Sequence, residues 1–507
     1  MSGHKVLLSQ KNVFQWLGFA FISFVVLIAY SPSLKHIPRS DQAVYFANVA
    51  RQNTWFELAI MNYDYSRNRV YGPGDEQLFR PVVFAILGSE KYFFGYHFYA
   101  WQITGIFLHL LVVFWFLKIC LEFYVGFPAI AMTFLFAMCF ANMEMVIWQH
   151  LHAYLFASFL ILFIIYYAVK LMQGASDVDK RIGWILAASI VSVFIWEFGI
   201  IFTLIISLFL WSSRRELKNK AFLLLVPIVF YVVASGYDYL IVHHLSISHQ
   251  AGVGLFAIPV HMVQVFLWWL YAGLFFYLYP LHYGIRTRYF MQDMFVFKPW
   301  DIAHPAVFFS VALAILFILF MFFCNSSAYW SKQRKIVLLY VFCVAAYILT
   351  LIVGRGNGEE FINGFHDGLY YPYFFWLFLM LSVFISIDWE KISCHHLFRK
   401  YLKVFYVVAL VYGVYSGYAL FISNYQRCVS EIPERNLISS VEALIKAKSS
   451  EPDFSFYVAP SPWWNQGYLA ARTKDDPPGK YRSYIELLYL KYFKNDSPKY
   501  VIHPAPS

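Results

Sequence analysis

The chain has 507 residues, 60% of them hydrophobic and only 13% charged, a balance that excludes a soluble globular enzyme. The formal net charge of +10 does not point to nucleic acid, because Lys and Arg fall mostly in short loops where they set topology and meet anionic lipid. Six cysteines (Cys120, Cys139, Cys324, Cys343, Cys394, Cys428) form no Cys-x-x-Cys pair, and only Cys428 is expected outside, so neither a disulfide framework nor a zinc site is indicated.

Many apolar runs reach the roughly 18–20 residues that a helix needs to cross about 30 Å of hydrocarbon. Lys5 and Lys11 place the N-terminus inside, and a first span over 13–30 leads to a long outer loop, 32–96. Spans over 97–117, 126–140 and 154–169 follow, with 142–152 as an outer turn. The run 182–211 carries Glu197 in its middle and basic clusters at both ends, Lys180-Arg181 before and Arg214-Arg215 after. Two short spans with Glu197 at their outer turn keep both clusters inside, and keep a carboxylate away from the bilayer centre.

Beyond a span over 221–242, the stretch 255–284 is expected to form a re-entrant segment or a short pair, since Pro259 and Pro280 suit broken helices around a buried cavity. Spans over 304–324, 336–354, 369–387 and 404–423 complete an all-α polytopic membrane protein of about 11 to 13 transmembrane helices. The chain thus divides into a membrane domain, 1–423, and a small external α/β tail, 424–507, with a helix near 432–448, a strand near 454–458 and a helix near 484–493. The implied location is a bacterial inner membrane, N-terminus inside and C-terminus outside.

Candidate site residues concentrate in the outer segments. Asp41, Tyr45 and Asn48 share one helical face, and Asp41 suits either an N-cap or a general base. Glu76 lies in the same loop. Arg80 precedes Pro81, which biases it to a loop-to-helix junction; its planar donors suit phosphate oxygens, with interfacial snorkelling as the alternative. His109 and Gln102 lie on one face of the second span, where helix–helix hydrogen bonding competes with a functional role. Glu197 precedes Gly199 at the proposed outer turn, as a functional acid or a structural hydrogen-bond partner. Arg355, in Gly354-Arg355-Gly356-Asn357-Gly358, is either a phosphate-neutralising loop or a solvated turn. The outer histidines, His150 and His152 among them, could join Glu76 around a divalent metal, but their spacing matches no motif, and no cofactor is expected.

In order, Asp41-Gln42 with Tyr45, then Phe79-Arg80-Pro81, Phe94-Gly95-Tyr96-His97 leading to His109, Glu144 with Trp148, Glu197 with Gly199, and Tyr370-Tyr371-Pro372 resemble the GT-C superfamily of integral-membrane glycosyltransferases. The likeness is to its protein O-mannosyltransferase and lipid A aminoarabinose transferase branches, and covers roughly 13–212. It implies an inverting transfer of a sugar from a polyprenyl-phosphate donor to a glycan, lipid or protein acceptor on the outer face. Asp41 would be the general base, and Arg80 would bind the donor phosphate. Gln42 stands where the family often has a second acid, and Trp196-Glu197 where some branches have Lys-Glu or Lys-Gly. The alternatives are a lipid-linked oligosaccharide flippase, which favours charges within spans, and a surface-polysaccharide polymerase, which favours paired outer arginines.

Overall fold

The computed structural model describes residues 2–36, 80–95, 97–242, 258–275, 327–355, 371–394, 396–447, 454–458 and 500–504. These are almost entirely helical, and the chain is an all-α polytopic membrane protein. Six described helices are long and apolar enough to cross a bilayer, or seven if one bent pair counts as a single span. The expected span over 304–324 and most of 255–284 lie outside the described residues.

Helix α1 (Ser2–Tyr30) ends at Ser31-Pro32, where a 3₁₀ turn, Ser31–Lys35, takes over because proline cannot continue the helical hydrogen bonding. Helix α2 (Pro81–Phe94) begins with proline at its first position, where the missing N–H costs nothing, and stops at Gly95, whose φ of 55° favours glycine. Helix α3 (Phe98–Phe123) is the centre of the bundle and packs against α1, α4 (Phe127–Ala137), α6 (His152–Met172) and α12 (Pro372–Ser386). The remaining described helices are α5 (Met143–Ile147), α7 (Val178–Val193), α8 (Phe198–Ser213), then helical turns over 215–225, α9 (Val226–Val242), α10 (Ile258–Phe275), α11 (Ser327–Arg355), α13 (Trp389–Cys394), α14 (His396–Ser430) and α15 (Ile432–Ala447). Strands β1 (Phe454–Val458) and β2 (Tyr500–Pro504) pair in parallel, with Phe454 opposite Tyr500. The expected helix near 484–493 lies outside the described residues.

The run 182–211 does split in two. α7 and α8 pack on each other across a tight turn at Phe194–Glu197, in which Trp196 N–H donates to Ser192 O at 3.4 Å and Gly199 N–H to Trp196 O at 2.8 Å. Gly199 permits this approach: a Cβ there would sit 2.5 Å from the Ser192 carbonyl oxygen. Because backbone cannot step aside as a flexible side chain can, Gly199→Ala is expected to cost about 1–3 kcal/mol, read as a lower melting temperature in detergent. An unchanged melting temperature would show that the turn relaxes.

The span expected over 126–140 is different. α4 stops at Ala137, and the following helical segment, Phe140–Ile147, leaves at 52°. Breaking a helix inside a bilayer strands carbonyl oxygens that no water can reach. Here three side chains take them: Asn142 Nδ2 donates to Phe136 O (2.6 Å), His109 Nε2 to Ala137 O (3.2 Å) and Ser416 Oγ to Met138 O (2.5 Å). These bonds cover the carbonyls of Phe136, Ala137 and Met138 at the break. The segment after it, expected as an outer turn, is packed into the protein: Asn142, Gln149, His150 and His152 are all buried. Two smaller differences follow from packing. Helix α11 continues to Arg355 instead of ending before it, and Cys428 is buried on α14.

Candidate functional site

Helix α6 orients the molecule. Its first turn carries His152 and Tyr154, its last Lys170, which pairs with Glu122 at the end of α3. Tyr154 and Lys170 are sixteen residues apart on a helix rising about 1.5 Å per residue, so the bundle has two ends separated by about 24 Å.

At the Tyr154 end, Arg80 makes a forked contact with Glu197: Nε donates to Oε1 at 3.1 Å and Nη2 to Oε2 at 2.8 Å. Its Nη1 donates to the Tyr154 hydroxyl at 2.6 Å. The two side chains come from positions 117 residues apart, and the contact is reinforced in the backbone, where Val82 N–H donates to Phe194 O at 3.3 Å. The guanidinium is not a snorkelling group. It is 16% exposed, against 32% for Glu197, and its plane is fixed by the fork. Glu197 flanks the first residue of α8, where the helix dipole favours a carboxylate. Below lies an aromatic floor. Trp196 packs edge-on against Tyr154 at 5.3 Å and contacts Tyr347 and Phe374, which extend to Phe198 and Trp269. Part of the chain's aromatic excess is thus spent supporting one charged cluster.

A second polar tie joins the same two helices. His152 Nδ1–H donates to Glu90 Oε1 at 2.6 Å, with both side chains almost completely buried. Burial pushes the Glu90 carboxyl above the ordinary carboxylate range, and the adjoining His152 opposes that only in part. Glu90 was not singled out in the sequence, where Gly88-Ser89-Glu90-Lys91 looks like exposed loop. The available signal was the Pro81 helix start nine residues earlier, which places Glu90 on a helix. Close by, Gln149 Nε2 donates to Gln102 Oε1 and Gln102 Nε2 to Val146 O, so Gln102 links neighbouring segments.

His109 is not brought to Arg80. It caps the broken helix α4 through Nε2–H, leaving Nδ1 of the neutral ring to accept from the Tyr373 hydroxyl at 3.1 Å. Its role is the helix–helix hydrogen bonding weighed above. His109→Ala is expected to lower the melting temperature by an amount corresponding to about 1–3 kcal/mol, the desolvation of the stranded carbonyl. His109→Asn should recover part of it.

Asp41, Tyr45 and Glu76 lie outside the described residues, and Arg355 is described only as the last residue of α11. The stem that leads to Asp41 is described. The His36 ring meets Asn424 O at 3.0 Å, and Arg435 Nη1 donates to Lys35 O at 2.9 Å. Arg435 in turn pairs with the fully buried Glu431, which Arg427 also holds. The end of the 3₁₀ turn after α1 is therefore fixed against α14 and α15. Asp41 follows five residues after His36, within about 17 Å of extended chain.

Among the described residues, no three His, Cys, Asp or Glu side chains gather in a metal-binding arrangement. No protein-family profile and no curated protein matches the chain. Among solved structures, the crystal structure of ArnT from Cupriavidus metallidurans bound to undecaprenyl phosphate is similar, with a TM-score of 0.40 and 12% identity, over 97% of this chain and 87% of that one. The function is therefore read from this chain's own residues.

Proposed function

We propose that the chain is a membrane glycosyltransferase that moves a sugar from a polyprenyl-phosphate donor to a glycan, lipid or protein acceptor on the outer face of the membrane. The observation that carries this reading is the forked, partly buried Arg80, held by Glu197 and Tyr154 where the first outer segment meets α2. A sugar phosphodiester needs little activation when a cation in a partly dehydrated site takes up the charge of the leaving phosphate. Arg80 is the cation assigned to that place: Glu197 and Tyr154 fix its plane, and because Glu197 offsets part of its charge, the donor phosphate would share the guanidinium with that carboxylate.

Asp41 completes the reaction as general base. Its carboxylate takes the proton of an acceptor hydroxyl while that oxygen attacks the anomeric carbon. The bond from that carbon to the phosphate oxygen breaks, and the electron pair leaves with the polyprenyl phosphate. Attack opposite the leaving group inverts the anomeric centre. Arg355 is proposed as a second phosphate contact, and Tyr45 and Glu76 are further candidates for the site.

The test is release of polyprenyl phosphate from a panel of polyprenyl-phosphate sugars by purified protein with acceptor extract, followed by the anomeric configuration of the product. Acceptor-dependent release with inversion supports the reading. Retention at the anomeric carbon, or no release with any donor from folded protein, contradicts it.

A further inference from the structure

At the end of the bundle away from Arg80 lies a cavity of about 590 Å³, within the range of small-molecule sites. Three described spans end around it: it is lined by Phe123, at the end of one, by Met172, at the end of the second, and by Gln333, at the start of the third. It therefore sits at the level of lipid headgroups.

Its wall is a mixture of acceptors and aromatic faces. Glu390 is exposed on α13, and Glu122 accepts from the Tyr166 hydroxyl and from Lys170. Gln333 is 6% exposed, and its side-chain oxygen has no hydrogen-bond partner. Leaving a buried amide oxygen unmatched costs about 1–3 kcal/mol, so a donor at this place would be stabilising. Trp389 and Tyr124 add aromatic faces, with their own polar atoms already engaged: Trp389 Nε1 donates to Phe384 O and Tyr124 bonds Ser393. Lys335 is the cation lining the cavity, and its ammonium donates to Ser212 O at the rim. Carboxylate, amide oxygen and aromatic rings around one space select an ammonium group. The single lysine at the rim suits a phosphate beside it.

We propose that this cavity binds the headgroup of an aminophospholipid, its primary ammonium against Glu390 and Gln333 and its phosphate toward Lys335. The same ammonium–phosphate chemistry exists in soluble glycerophosphoethanolamine, but the position at the ends of three spans favours the lipid.

The proposal is tested by native mass spectrometry of the purified full chain, titrated with phosphatidylethanolamine and phosphatidylglycerol of equal chain length. Wild type should retain phosphatidylethanolamine in preference. Glu390→Gln, an exposed change that keeps side-chain size, should weaken that retention about tenfold, the equivalent of one charge-assisted contact, and leave phosphatidylglycerol unaffected. Melting of each protein in lipid-free detergent establishes that the variant is folded. Competition by glycerophosphoethanolamine that Glu390→Gln also weakens supports the headgroup chemistry and assigns the soluble ester as a source. Equal retention of the two lipids by wild type, or unchanged selectivity in folded Glu390→Gln, overturns the proposal.

Discussion

Asp41→Asn is expected to reduce turnover about 10²- to 10⁴-fold while the protein extracts and melts like wild type. The asparagine side chain keeps the shape and the capacity to cap a helix, but it cannot accept the acceptor's proton. Loss of the general base therefore separates from loss of a cap, which would instead appear as lower stability of about 0.5–2 kcal/mol. Donor affinity should change little, since the leaving phosphate is assigned to Arg80. Turnover and the thermal melt, measured on one preparation, check both halves of the expectation. Wild-type turnover in a folded Asp41→Asn protein would remove Asp41 from the mechanism.

The second large effect is structural. His152→Ala should cost about 3–5 kcal/mol, because it leaves Glu90 buried without its partner. Replacing both residues by leucine should cost much less than the sum of His152→Leu and Glu90→Leu made singly, since no charge then remains to be dehydrated. The pair also gives a pH dependence with a defined sign. Glu90 has a raised value in the folded state, so its contribution to stability is full below the ordinary carboxylate value and declines as pH rises through the folded value. Glu90→Gln should flatten that part of the profile. Melting temperatures of the two single variants and the double variant, taken across acidic to neutral pH, decide the matter. Additive single effects would mean that the two residues act independently.

Glu90–His152 and Arg80–Tyr154 tie the same helices, α2 and α6, at different places. His152 and Tyr154 are two residues apart on α6, while their partners Glu90 and Arg80 lie ten residues apart along the chain. Disturbing the buried pair is therefore expected to displace Arg80 as well.

The turn at Glu197 was legible because charge balance on either side of 182–211 allows only an even number of crossings. Arg80 was legible because Pro81 marks a helix start. Their partnership was not, since nothing local relates residues 117 apart. The broken helix α4 was invisible for a different reason: hydropathy does not register a break when the stranded carbonyls are matched by Asn142, His109 and Ser416 from elsewhere. The same blindness hid the packing of the polar stretch 142–152. A run of Asn, Gln and His signals solvent in sequence, yet these side chains are buried through partners elsewhere in the chain, Phe136 O for Asn142, Gln102 for Gln149 and Glu90 for His152.

Arg80 is proposed to hold the phosphate of a polyprenyl donor. Affinity for polyprenyl phosphate, measured in nanodiscs for wild type and Arg80→Lys, tests it most directly. Lysine keeps the charge but loses the fork to Glu197 and the fixed plane, so binding is predicted to weaken about 10- to 100-fold, or about 1.4–2.8 kcal/mol. Equal affinity in a folded Arg80→Lys protein would contradict the claim and leave the fork as a structural tie alone.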